Sequence, residues 1–110
     1  MKIEDGDGNV IFVPGTVKFD SANDAGTAIS KELGHTLGLE PDSRKKSKIS
    51  VTGGGVIECK KVSVKLFIRK RQFTVDALFG AVAEGTDLLV GMDIIKHRIA
   101  SGLRYPHQLF

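Results

Sequence analysis

Two stretches decide how this chain reads: Val17-Lys18-Phe19-Asp20-Ser21-Ala22-Asn23-Asp24 and, far downstream, Leu88-Leu89-Val90-Gly91-Met92-Asp93-Ile94-Ile95. Each begins as a short apolar run and ends in small or polar residues. The first predicts a strand running into a loop over Asp20 to Gly26. The second predicts a buried strand, because all three of Leu88, Leu89 and Val90 are apolar. Gly91 then leads into Met92–Lys96, enough for one or two helical turns.

Upstream of the first stretch, Val10-Ile11-Phe12-Val13 lies between Gly8-Asn9 and Pro14-Gly15. It predicts a strand ending in a turn, with Thr16-Val17-Lys18-Phe19 as the return strand of a hairpin. Downstream, Ile29, Leu33 and Leu37 recur at i, i+4 and i+8, one stripe of a helix over Lys31–Leu37. Ser30 is its candidate N-cap, Glu32 adds negative charge to the first turn, and Gly38 suits the position just past the end. Gly34 weakens its middle by about 1 kcal/mol relative to Ala, so the helix is expected to be short.

Pro41 to Lys48 is polar and basic and predicts a connection. Ile49–Thr52, Val56-Ile57, Val62–Ile68 and Phe73–Ala77 predict strands, the last two by clear alternation. Gly53-Gly54-Gly55 separates the first two, and Arg69–Gln72 makes a hairpin tip. The tail from Ile99 to Phe110 is expected to be strand-like. The expected fold is a mostly β, small closed-barrel-like domain with one or two short helices.

Composition bounds the function. The chain has 110 residues, 41% hydrophobic and 26% charged, with one Cys and no Trp. That length fits a single domain over residues 1–110 with one core. One Cys excludes an internal disulfide and a Cys-cluster zinc site. No apolar run approaches the roughly 18 residues of a membrane span, and Met1–Asp5 has no signal-peptide character. A cytoplasmic location is the expectation. The net charge of +3 is a mild excess. Its basic clusters, at Arg44–Lys48, Lys60-Lys61 and Arg69–Arg71, have only Phe67 nearby, a core-type aromatic. This argues against nucleic acid as the partner.

Taken in order along nearly the whole chain, these motifs resemble the retropepsin-like aspartic proteases. In that family an Asp-Ser/Thr-Gly loop follows a hydrophobic strand, and a later Gly-Arg/Met-Asp/Asn motif packs beneath it. The resemblance implies that Asp20 is the catalytic carboxylate and that Ser21 braces the loop across a dimer. Asp24 would contact the substrate backbone, and Gly53, Gly54 and Gly55 would form a mobile flap over the substrate. Gly91, with Met92 and Asp93, would pack the lower helix against the catalytic loop. The chemistry uses two carboxyls about 3 Å apart sharing a proton, one activating water and one protonating the carbonyl or leaving amine. One Asp loop per chain implies a homodimer, with apolar Leu103, Tyr105, Leu109 and Phe110 of the tail at its joint. No cofactor and no metal are required, and the substrate is a peptide or protein.

Two positions depart from the family pattern. Ala22 stands where the family has Gly, and Met92 where many relatives have Arg. The Cβ of Ala22 makes a catalytically silent dimerisation or peptide-binding module the alternative to an endopeptidase. A basic RNA-binding β domain is a third reading, resting only on charge. Other motifs are weaker. Asp24-Ala25-Gly26-Thr27 lacks a preceding apolar strand, so it is a poor second catalytic triplet. Asp5-Gly6-Asp7-Gly8-Asn9 lacks the Gly and Glu of a calcium loop and reads as a turn. The Gly triplet lacks the Lys-Ser/Thr of a phosphate cradle. His35, His97 and His107 have no ligand spacing, and Cys59 reads as an inert thiol.

Overall fold

In a computed structural model of the chain, residues 1–20, 26–50 and 53–100 are described, with side chains as far as Lys96. Among the described residues, eight strands and two helices run in the order β1 (Lys2–Glu4), β2 (Val10–Phe12), β3 (Val17–Phe19), β4 (Ala28–Ile29), α1 (Lys31–Thr36), β5 (Asp42–Ser50), β6 (Val56–Ile68), β7 (Arg71–Phe79), β8 (Leu88–Val90) and α2 (Met92–Ala100). The fold is mostly β, as expected. The sheet follows β2-β1-β6-β7-β4-β8-β3, with β5 joined to β6. It curls into a half-barrel, and among the described residues β2 and β3 are its ends, so it does not close. No described helix is long and apolar enough to cross a membrane.

The predicted β2–β3 hairpin is corrected. β2 pairs antiparallel with β1, while β3 runs parallel to β8, Phe19 opposite Val90. The physical cause lies at Thr16. Its N–H donates to the Asp87 carboxylate at 2.8 Å, and its carbonyl accepts from the N–H groups of Asp87 and Leu88 at 3.0 and 3.1 Å. Gly15, at φ +113°, lets the chain pass against the Asp87 side chain. The stretch after Pro14-Gly15 is thereby drawn across to β8 instead of folding back. The turn expected at Asp5–Asn9 forms: the Asp5 carboxylate accepts from the N–H groups of Asp7 and Asn9, both at 2.9 Å, the side-chain mimicry that favours Asp in turns.

α1 follows its local signals. The Ser30 hydroxyl accepts from the Leu33 N–H at 3.0 Å, and Gly38 sits past the end at φ +69°. Gly34 has a tertiary use as well: a Cβ there would meet the Phe79 ring at 2.5 Å.

The polar connection expected at Pro41–Lys48 is instead most of β5, a strand that no apolar alternation announces. Pairing with β6 imposes it, from Asp42↔Lys61 to Ser50↔Val56, with a register shift between Asp42 and Lys46, which overrides local preference. Val56-Ile57 and Val62–Ile68 belong to one strand, β6, because the polar residues between them pair with β5 and β7. α2 runs to Ala100, which corrects the strand expected at Ile99 and Ala100. No Gly or Pro interrupts the chain between Met92 and Ser101, and such a run lets a helix continue. The tail residues Leu103, Tyr105, Leu109 and Phe110, and also His107, lie outside the described residues.

The core sits inside the curl, where Ile3, Ile29, Leu66, Leu88, Val90, Ile94 and Ile95 are wholly buried. A smaller cluster, Ala28, Leu78 and Cys59 with Ile49, Val82 and Leu89 packed on it, lies apart from that core. Alternation along β4 and β7 sends Ala28 and Leu78 to the opposite face from Ile29 and Ala77. Both sheet faces are therefore covered there, the second by the β5–β6 arm.

Candidate active site

Asp20 is the first residue after β3, and its position is set by backbone pairing. The parallel ladder Val17↔Leu88, Lys18↔Leu89, Phe19↔Val90 continues one step further, with the Asp20 N–H donating to the Val90 carbonyl at 3.0 Å. Asp20 therefore emerges beside Gly91, the residue that follows β8. Val17–Asp20 and Leu88–Gly91 are thus neighbours in space. Asp20 is half-buried.

The far end of the same loop is tied to the same turn. Thr27 is fully buried. Its N–H donates to both oxygens of the Asp93 carboxylate at 3.1 Å, and its hydroxyl donates to Oδ1 at 2.7 Å. That hydroxyl also accepts from the Gly91 N–H at 3.2 Å. Asp93 Oδ1 additionally receives the Ile94 N–H at 3.0 Å. One carboxylate thus joins the loop's exit to the first turn of α2. Hydrogen bonds to an ionised acceptor are the stronger ones, and a buried donor left without one is costly.

Close backbone approach makes this possible. A Cβ on Gly91 would meet the Gly26 carbonyl oxygen at 2.6 Å and its Cα at 2.8 Å. Gly26 itself stands at φ +99°, where a side chain is strained. Gly91, expected to allow tight packing against the catalytic loop, lies in close contact with Gly26. In sequence Asp93 stands out only as part of the Gly-Met-Asp motif, and its partner Thr27 only within Asp24-Ala25-Gly26-Thr27. The available signal was a buried-type Thr following Gly, but nothing local links it to a residue 66 positions away. Asp87, which holds Thr16, was missed for the same reason. Met92 is half-buried against the core.

Gly53, Gly54 and Gly55 form the turn between β5 and β6. Gly53 and Gly54 take φ +101° and +85°, and a Cβ on either would touch nothing within 4 Å. Val56 and Ile57, which leave this turn, are 62% and 44% exposed, so the arm carries unburied apolar side chains near its tip. Ser21, Ala22 and Asp24, and Val51 and Thr52 of the arm, lie outside the described residues. Cys59 is buried, and no cluster of metal-ligating side chains occurs among the described residues.

Compared with models of protein families, with curated proteins and with solved structures, the chain shows no match.

Proposed function

We propose that the chain is one subunit of a retropepsin-like aspartic endopeptidase, working as a homodimer with one Asp20 from each copy. The observation that carries this reading is the parallel β3–β8 pairing, which sets Asp20 against the Gly91-Met92-Asp93 turn while Asp93 holds the other end of the loop through Thr27. A catalytic carboxylate needs such a floor, because its effect depends on being held within a fraction of an ångström. The glycine turn of the β5–β6 arm, with Val56 and Ile57 exposed, supplies a cover of the kind that closes over an extended peptide.

In the dimer the two Asp20 carboxyls share one proton, because like charges about 3 Å apart resist joint ionisation. The ionised member takes a proton from water as its oxygen attacks the peptide carbonyl carbon, and the protonated member donates to the carbonyl oxygen. Collapse of the tetrahedral species breaks the C–N bond, with the proton delivered to the leaving amine. A catalytically silent peptide-binding dimer is the second reading, favoured by Ala22 in place of Gly.

The deciding measurement is cleavage of a mixed peptide library with and without a pepstatin-type inhibitor, on the wild type, Asp20→Asn and Ala22→Gly. Inhibitable cleavage, a loss of roughly a thousandfold in Asp20→Asn and a pH profile with two apparent pKa values belonging to the pair are expected. Cleavage that persists in Asp20→Asn overturns the assignment. Silence of both the wild type and Ala22→Gly establishes the binding module instead.

A further inference from the structure

Residues 42–76 carry ten Lys and Arg against three Asp and Glu, a net +7, whereas the remainder of the chain, with six against ten, is at −4. The excess positive charge is thus confined to β5, β6 and β7. Within the β5–β6 arm three of these lysines, Lys46, Lys48 and Lys60, share one face. Residues directly opposite in an antiparallel ladder point the same way. Lys46↔Lys60 and Lys48↔Glu58 therefore share a face, and Ser47↔Cys59 and Ile49↔Ile57 share the other. The second face packs on the Ala28–Leu78 cluster, which leaves the lysine face in solvent.

That face is electrostatically unfavourable in isolation. Lys46 and Lys60 are like charges directly opposite, an arrangement that destabilises a ladder. One acid, Glu58, serves the group: it pairs with Lys46 at 3.3 Å, an exposed contact of small worth. Lys48 and Lys60 make no ion pair among the described residues. Moreover, among the described residues β5 pairs only with β6. From Lys46 to Ser50, alternate N–H and C=O groups along its outer edge have no strand beside them among the described residues.

We infer that the outer edge of β5, from Lys46 to Ser50, is a docking site for an acidic peptide segment that adds to the sheet as a strand. Main-chain bonds would supply the ladder, and acidic residues at every second position would stand opposite Lys46 and Lys48. Same-face residues of any strand are about 6.6–7 Å apart, so the two rows of charge stay in step. Nucleic acid fits less well: Val56–Lys60 and β5 contain no aromatic side chain on which bases stack, and a phosphate backbone has no amide ladder to offer. Lysines on an edge also repel a second copy of the same edge, which makes this edge selective for a strand of opposite charge. The inference does not depend on the proteolytic reading.

The test is fluorescence anisotropy of labelled ten-residue peptides of alternating glutamate and threonine, titrated with the Asp20→Asn chain, so that binding is measured without hydrolysis. Three comparisons accompany it: the same peptide with two threonines replaced by proline, an oligonucleotide of equal charge, and the Lys46→Glu/Lys48→Glu variant. Both substituted lysines are exposed, and retained circular dichroism and thermal midpoint would verify the fold. Binding is expected to weaken roughly tenfold or more with the proline peptide, which lacks ladder donors, and by at least as much in the variant. Equal binding of the two peptides would reduce the effect to charge attraction and overturn the proposal. So would tighter binding of the oligonucleotide, or no peptide binding at millimolar concentration, which would leave the lysines as edge protection alone.

Discussion

The floor beneath Asp20 and the β5–β6 arm are built from opposite kinds of interaction. In the floor, Thr27, Val90, Ile94 and Ile95 are buried without measurable exposure, Gly91 and Gly26 touch through their backbones, and one carboxylate receives hydrogen bonds from Thr27 and Ile94. In the arm, Lys46 pairs with Glu58 at 3.3 Å, and Lys45 reaches Asp76 of β7 at 3.4 Å, all four side chains being about half exposed. Buried, satisfied contacts have one good arrangement, whereas exposed ion pairs are nearly indifferent to theirs. The candidate reactive group thus adjoins the buried, hydrogen-bonded part of the molecule, while the excess charge and the glycines lie on the exposed part.

Substitutions graded by expected effect sharpen that contrast. Gly91→Ala is predicted to be the most damaging, at about 3 kcal/mol or outright failure to fold, since the new Cβ meets backbone that cannot give way. Urea denaturation of the variant would measure it, and a loss under about 1 kcal/mol would mean that the floor is softer than it looks. Thr27→Val keeps the shape but removes the hydroxyl that bonds Asp93 and Gly91. About 2 kcal/mol should disappear, and on the proposed function kcat should fall with little change in KM, because the loop holding Asp20 loosens. Ser30→Ala removes the α1 cap and should cost about 1 kcal/mol, read as a lower thermal midpoint. At the other end of the scale, Glu58→Gln in the arm should change stability by less than about 0.5 kcal/mol. A drop as large as that of Thr27→Val would erase the distinction between the two regions.

Legibility followed the range of the information. α1 was readable from Ser30, the Ile29–Leu33–Leu37 stripe and Gly38 because caps and periodicity act within a few residues. β7 and β8 were readable from alternation and from an unbroken apolar run. β5 was not, since its basic residues carry no strand pattern and β6 imposes the pairing. The end of α2 differs from expectation because apolar Ile99 and Ala100 suggest a strand, while no Gly or Pro stops the helix before them.

The candidate site divides in the same way. Asp20, Gly91 and Asp93 stand out in one dimension only through the order of motifs that resembles the retropepsin-like proteases. That Asp20 lies beside Gly91 follows from the parallel β3–β8 ladder, which replaced the expected hairpin once Asp87 captured Thr16. That Asp93 secures the loop follows from Thr27, which the chain brings to it only after folding. Local signals specified which segments are helix, turn and buried strand, because those choices depend on neighbouring residues. Which strands became partners, and which carboxylate met which hydroxyl, rested on contacts across most of the chain, where the only arbiter is the shared burial of the whole core.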